Sequence, residues 1–213
     1  MYIDDMFSDL HQESTHLEAV PMSKFYARFY ELGADPYLPI LELKGDNITT
    51  ERLALFDKKG MRSELEPEET SLFRLITQKP KRFYYELNGK DENDLMVTMI
   101  RDAKVRYILK EDPKPPKIKY DVRLSGIVAE SGNEEVVDTS VYELVEEREI
   151  KLKVVRLLEK IQSAGLDPLG FGLHYLSYHW NPKGDWEAWQ ALYPQLKFEA
   201  DVQVQLRSEG FVK

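Results

Sequence analysis

The chain has 213 residues and a formal charge of −9, with 42% hydrophobic and 31% charged residues, globular usage that excludes extensive disorder and leaves room for one large or two smaller cores. Lysines and arginines are scattered and usually sit beside acids, which excludes a nucleic-acid surface built on clustered cations. Cysteine is absent, which removes disulfides, thiolate metal sites, cysteine nucleophiles and a lipidated cysteine. No apolar run reaches the length of a membrane span. The start, Met1-Tyr2-Ile3-Asp4-Asp5, lacks the basic and apolar regions of a signal peptide, so the sequence taken alone reads as soluble.

In chain order, Asp4 to Glu13 predicts a short acidic helix. A better one runs from about Pro21 to Leu32, with Phe25, Phe29 and Leu32 on one stripe and Gly33 placed to end it. Asp35-Pro36 and Pro39 predict an extended connection. Asn47 to Phe56 reads as a strand, Asp57-Lys58-Lys59-Gly60 as a turn and Met61 to Leu65 as the returning strand of a small hairpin. Pro67-Glu68-Glu69 opens a helix with acids in its first turn and Leu72, Phe73, Leu75 and Ile76 as its apolar face.

Phe83 to Leu87 predicts a strand followed by a turn at Asn88-Gly89-Lys90. Leu95, Val97, Met99, Ala103, Val105, Tyr107 and Leu109 then share one parity, with Arg101 the exception, as in one long bent strand. Lys110 to Lys119 is a proline- and lysine-rich connection, after which Tyr120, Val122, Leu124, Gly126 and Val128 resume the alternation. Ser131-Gly132-Asn133 marks a turn. The longest helix spans about Val141 to Ser163, with Ile150, Val154, Leu157, Leu158 and Ile161 as its stripe and Gly165 as its stop. Asp185 is the expected N-cap of a short helix ended by Pro194. From Leu196 to Arg207 apolar and polar residues alternate without a break, as in an antiparallel sheet with one buried face. Strands grouped before and after a long helix give an α+β fold. Its expected form is a small helix–hairpin domain over residues 1–80, then a domain over 81–213 whose antiparallel sheet is covered on one face by the long helix.

None of the candidate chemical sites carries a catalytic pattern. His11 and His16, like His174 and His179, are five residues apart, whereas two ligands on one helix face need three or four. Acid pairs such as Glu134-Glu135 and Glu146-Glu147 read as solvated charge. Trp180, Trp186, Trp189, Tyr175, Tyr178 and Tyr193 concentrate aromatic surface. They offer either a stacking platform for a sugar or small ligand, from Trp180 to Tyr193, or a core packed against the sheet. Asp167-Pro168-Leu169-Gly170-Phe171-Gly172 follows a long helix and lacks the lysine and hydroxyl of a phosphate-binding loop, so it reads as a tight turn. Lys114-Pro115-Pro116-Lys117 reads as a polyproline ligand or a charged connection. No catalytic residue, cofactor site or metal site is expected.

The same features carry a resemblance. An acidic-to-basic helix ending in a glutamine-containing turn (Glu146 to Gln162) is followed by Asp167-Pro168-Leu169-Gly170-Phe171-Gly172. A tryptophan-bearing helix (Trp186 to Pro194) and a closing strand ending Arg207-Ser208-Glu209-Gly210 complete the pattern. In combination they resemble the C-terminal domain of the Ger(x)C family, the C subunits of bacterial spore germinant receptors. Asp35-Pro36-Tyr37-Leu38-Pro39, Ala54-Leu55-Phe56 and Leu65-Glu66-Pro67-Glu68-Glu69-Thr70 resemble its middle domain. The resemblance implies a non-enzymatic lipoprotein subunit, anchored at the outer face of the spore inner membrane and working with two integral-membrane subunits, A and B. The leader, lipidated cysteine and N-terminal domain of that family are not in this sequence, which is therefore read as a soluble, shortened form.

Overall fold

The structure, a computed structural model, describes residues 20–45, 47–78, 83–88, 95–112, 114–131, 139–179 and 181–207. The predicted helix at Asp4 to Glu13 and most of the turns at Asn88-Gly89-Lys90 and Ser131-Gly132-Asn133 lie outside the described residues. The fold is α+β. Its elements form two compact units, each drawn from two stretches of chain: Met1–Thr70 with Leu157–Leu196, and Ser71–Arg156 with Lys197–Lys213.

In the first unit, helix α1 (Met22–Tyr30) begins after Pro21, whose carbonyl accepts the Lys24 and Phe25 amides. Phe25 stands edge-on to Phe56, 5.6 Å between centroids. Strands β1 (Tyr37–Lys44), β2 (Asn47–Phe56) and β3 (Met61–Leu65) form an antiparallel sheet in that order. The expected connection at Pro39 is instead part of β1. The proline is tolerated because β1 is an edge strand, where one side of the ladder needs no donor. The β2–β3 turn forms as predicted: Asp57 Oδ1 accepts the Lys59 and Gly60 amides at 2.6 and 2.9 Å.

The second unit holds a four-stranded sheet ordered β4 (Phe83–Asn88), β5 (Leu95–Lys110), β6 (Lys117–Ser131) and β7 (Lys197–Arg207). Its first three strands are antiparallel, but β7 joins β6 in parallel. Alternation alone cannot distinguish the two, and a parallel neighbour needs the long crossover that residues 132–196 supply. Along β7, Phe198, Ala200, Val202, Val204 and Leu206 are all buried and the intervening residues exposed, as predicted.

In β5 the predicted parity holds only from Ala103 onward. Thr98 and Ile100, not Val97 and Met99, are the buried residues of the first half. Between Ile100 and Asp102 the register with β6 slips, and Arg101 is the extra residue. A bulge shifts the alternation by one. Gly126 lies opposite Ile100, where a Cβ would sit 2.4 Å from the Met99 carbonyl oxygen.

Helix α2 (Pro67–Gln78) begins with its Glu69 carboxylate accepting the Glu66 amide, and Leu72, Phe73, Leu75 and Ile76 are buried. The long helix α3 runs Thr139–Ser163. It stops as predicted at Gly165, with φ of 71°. The Gly165 amide bonds to the Gln162 carbonyl and the Leu166 amide to that of Ile161, the paired bonds of a left-handed helix cap. Ile161 and Leu166 are both buried, the apolar pairing that such a cap favours.

Helix α4 (Phe171–Ser177) has no counterpart in the sequence reading. Helix α5 (Pro182–Leu192) begins earlier than expected. Asn181 occupies the N-cap, and the Asp185 carboxylate accepts the Asn181 amide at 2.7 Å. A single 3₁₀ turn, Tyr193–Gln195, follows.

Candidate functional site: a buried clasp and an exposed helix face

In the first unit, the tight turn predicted at Asp167 to Gly172 is the N-terminus of α4. Asp167, 5% exposed, accepts the amides of Gly170, Phe171 and Gly172 at 2.9, 3.0 and 2.7 Å. Its backbone exchanges bonds with Asp35: the Asp167 amide donates to Asp35 Oδ2 at 2.7 Å and the Asp35 amide to the Asp167 carbonyl at 2.9 Å. Burial pushes the Asp167 carboxyl up to about 7, against the pull of the three amides in the opposite direction.

Arg28 donates to the carbonyls of Asp35 and Pro168, and Lys58 to those of Arg28 and Ala34. The two stretches meet so closely that a Cβ on Gly33 would lie 2.4 Å from the Gly172 carbonyl carbon. One on Gly172 would lie 2.5 Å from Trp189 Nε1. The Gly170, Phe171 and Gly172 amides are turned onto the Asp167 carboxylate, so the loop closes a junction between two stretches of the chain.

The aromatic concentration is largely interior. Trp189, Tyr175 and Tyr193 are 2%, 6% and 7% exposed and stack in series at 5.2 and 5.3 Å. Trp189 packs beside α4, where its Nε1 closes over Gly172. Trp186 is half-buried, Tyr178 exposed, and Trp180 lies outside the described residues. The ligand platform thus loses three of its rings to packing, and the Tyr193 hydroxyl donates to the Leu166 carbonyl at 2.6 Å.

The other candidates separate in the same way. His179 stacks on Tyr175 at 4.0 Å, with its Nδ1 2.7 Å from the Tyr175 carbonyl oxygen. His11, His16, Glu134 and Glu135 lie outside the described residues. Among the described residues, no three histidine or acidic side chains converge as metal ligands. Pro116 is buried and its carbonyl accepts the Lys197 amide, which anchors the start of β7.

In the second unit, α3 presents to the sheet acids whose pattern in the sequence predicts solvated charge. Glu147 Oε1 accepts the Val204 amide at 2.9 Å and Glu143 Oε1 the Leu206 amide at 2.7 Å. These carboxylates occupy donors of the β7 edge that would otherwise be open to another strand. Tyr85 donates to Glu149 and accepts from Lys153, whose ammonium also lies 3.3 Å from Glu149. Burial is the main cause pushing the Tyr85 phenol up to about 12.

Glu146 is fully buried. Its Oε1 lies 3.1 Å from the Thr98 hydroxyl, which is also 3.3 Å from the Tyr85 carbonyl, and its Oε2 has no partner among the described residues. One hydroxyl proton cannot serve two acceptors. A protonated Glu146 resolves this by donating to Thr98, which then donates to Tyr85. Burial pushes the Glu146 carboxyl up to about 7, with the neighbouring Glu143 and Glu149 acting in the same direction.

A folded-state value raised above the ordinary carboxylate range means the fold holds a proton that the unfolded chain has lost. Stability from Glu146 therefore falls as pH rises from about 4.5 to 7. Glu146→Gln is expected to raise stability by about 1–2 kcal/mol at pH 8 while changing little at pH 5, measured as urea midpoints at the two pH values.

The opposite face of α3 exposes apolar residues on either side of Arg148. Val141, Leu144, Val145 and Leu152 are 58%, 68%, 44% and 46% exposed, at helical spacing. Beside them, an open groove of about 610 Å³ is lined by Leu144, Glu147, Arg148, Lys151, Asp201, Val202 and Gln203. It contains charged and apolar groups but no nucleophile with a neighbouring base.

Residues 51–210 match the family described as "Spore germination B3/GerAC like, C-terminal". The chain belongs to that family. The spore germination protein GerQC of Bacillus cereus is 22% identical over 217 aligned positions, covering 98% of this chain and 60% of that protein. The crystal structure of the GerBC protein superposes with a TM-score of 0.68 at 14% identity, covering 82% of this chain and 57% of that one. The chain thus spans about 60% of the length of these relatives.

Within this GerAC-like domain several of the residues that carry the resemblance are architectural. Gln162 donates to the carbonyls of Tyr193 and Leu196 at 2.7 and 3.0 Å. Lys160 bonds the Glu64 carbonyl and the Glu69 carboxylate. Asp167, Gly170 and Gly172 build the clasp. No helix among the described residues is long and apolar enough to cross a membrane.

Proposed function

We propose that this chain is the soluble part of a non-catalytic C subunit of a spore germinant receptor, acting in nutrient-triggered germination through receptor assembly or signal coupling. Membership of the GerAC-like family over residues 51–210 is the observation that carries this reading. Two further features support it. The polar groups of Gln162 and Asp167 are engaged internally, and α3 exposes Val141, Leu144, Val145 and Leu152. In this reading the partners are the two integral-membrane subunits, A and B. The full-length protein is held by a lipid anchor at the outer face of the spore inner membrane, where proximity supplements a modest docking affinity. The division of the sequence into a middle segment, residues 1–80, and a C-terminal segment, 81–213, is part of the same proposal.

The α3 face gives the test. Leu144→Asp with Leu152→Asp replaces exposed apolar groups, so thermal stability should change by no more than about 1 kcal/mol. Spores carrying that variant in the full-length protein should lose most of their nutrient response while keeping their response to germinants that bypass the receptor. A normal nutrient response would exclude this face as the contact.

A further inference from the structure

Strand β5 is longer than its neighbour on one side. Strand β4 pairs with Leu95–Ile100 only, so among the described residues Lys104–Lys110 is bonded to β6 alone. An unpaired strand edge displays alternating N–H and C=O groups that can receive another extended chain. On the inner face here, Val105 is buried and Tyr107 and Leu109 are half-buried. The outer face carries Lys104, Arg106, Ile108 and Lys110, all exposed.

The outer row selects the occupant. The carboxylates on the same face of β6 and β7 are engaged within those strands: Asp121 with Arg123, Glu199 with Lys117, and Asp201 with Lys119. Lys104 has Asp102 at 3.7 Å, whereas Arg106 and Lys110 have no carboxylate partner among the described residues. A second copy pairing through the same edge would set cation against cation, which destabilises a cross-strand pair. A strand with carboxylates at alternate positions would set them beside Lys104, Arg106 and Lys110, with one position facing Ile108, and its other side chains would extend the Val105–Tyr107–Leu109 surface.

We propose that the β5 edge, Lys104–Lys110, binds an extended segment of a partner protein bearing acidic side chains at alternate positions, adding it to the sheet as an outer strand. This goes beyond the receptor reading and does not rest on it.

Amide hydrogen exchange of the full chain by NMR tests the proposal. The probes are a capped peptide alternating valine and glutamate, its counterpart alternating valine and lysine, and phosphatidylglycerol vesicles. In the free protein, alternate amides of Lys104–Lys110 should exchange rapidly. The glutamate peptide should slow them at least about tenfold at low salt, and the lysine peptide should not. Reversing Lys104, Arg106 and Lys110 to glutamate should exchange the preference between the peptides. If the triple variant does not fold, Arg106→Glu alone should weaken the glutamate peptide several-fold. Amides already protected in the free chain, equal protection by both peptides, or protection by vesicles with both peptides inert would each overturn the proposal.

Discussion

Gly33→Ala is expected to cost ~3–5 kcal/mol of stability, while Gly165→Ala should cost only ~1–2 kcal/mol. Both glycines have positive φ, 77° and 71°, so both substitutions carry the left-handed penalty. They differ in surroundings: a Cβ on Gly165 meets nothing within 4 Å, whereas on Gly33 it meets the Gly172 backbone at 2.4 Å. Backbone cannot yield as a side-chain tip can, so Gly33→Ala must separate the two stretches of the clasp. The Leu173 amide bond to the Gly33 carbonyl, 2.8 Å, would be strained with it. Urea denaturation of the two variants measures the difference, and equal effects would mean that the close approach is not rigid.

Asp167→Ala is the second large effect, at ~3 kcal/mol or more. It strands the buried amides of Phe171 and Gly172, whereas that of Gly170 keeps the Asp167 backbone carbonyl at 3.2 Å, and unsatisfied donors of this kind cost about 1–3 kcal/mol each. Asp167→Asn should cost roughly half as much, because its single carbonyl oxygen can still accept two amides while its NH₂ group faces the third. The pH dependence adds a second readout. With the folded-state carboxyl at about 7, the wild-type fold retains a proton that the unfolded chain releases near 4. The Asp167 contribution to stability therefore declines as pH rises across that interval and is level above it. Asp167→Asn should flatten this part of the profile. An unchanged slope in the variant would show that the carboxyl ionises at its ordinary value.

Much of this architecture can be read directly from residue patterns, and the parts that cannot have physical reasons. The alternation from Leu196 to Leu206 is legible because every second residue is buried against one face. The α3 boundaries are legible from a stripe that ends in glycine. Strand β1 is hidden because Pro39 argues against a ladder unless the strand is known to be an edge. The β5 parity is hidden because one bulged residue, Arg101, inverts the pattern. The parallel addition of β7 depends on a crossover of many residues that leaves no local trace.

The site was less legible than the fold. Asp167, Gly170 and Gly172 stood out as a family signature, but their partners Arg28, Gly33 and Asp35 lie some 130 residues away, and no local spacing links them. Glu143, Glu146 and Glu147 are identical in kind to solvated acids on any helix. Only the position of β7 and Thr98 makes two of them edge acceptors and the third a buried acid. The exposed Val141, Leu144, Val145 and Leu152 were obscured by the stronger buried stripe on the same helix.

The central claim, that this domain serves a germinant receptor as a non-catalytic partner of its membrane subunits, is tested most directly by co-purification. The full-length protein carrying an affinity tag would be isolated from detergent-solubilised spore inner membranes, and the bound proteins identified by mass spectrometry. Recovery of both integral-membrane subunits, with loss of both when Leu144 and Leu152 are changed to aspartate, is the expected result. Recovery of the protein without either subunit, under conditions that retain other membrane complexes, would contradict it.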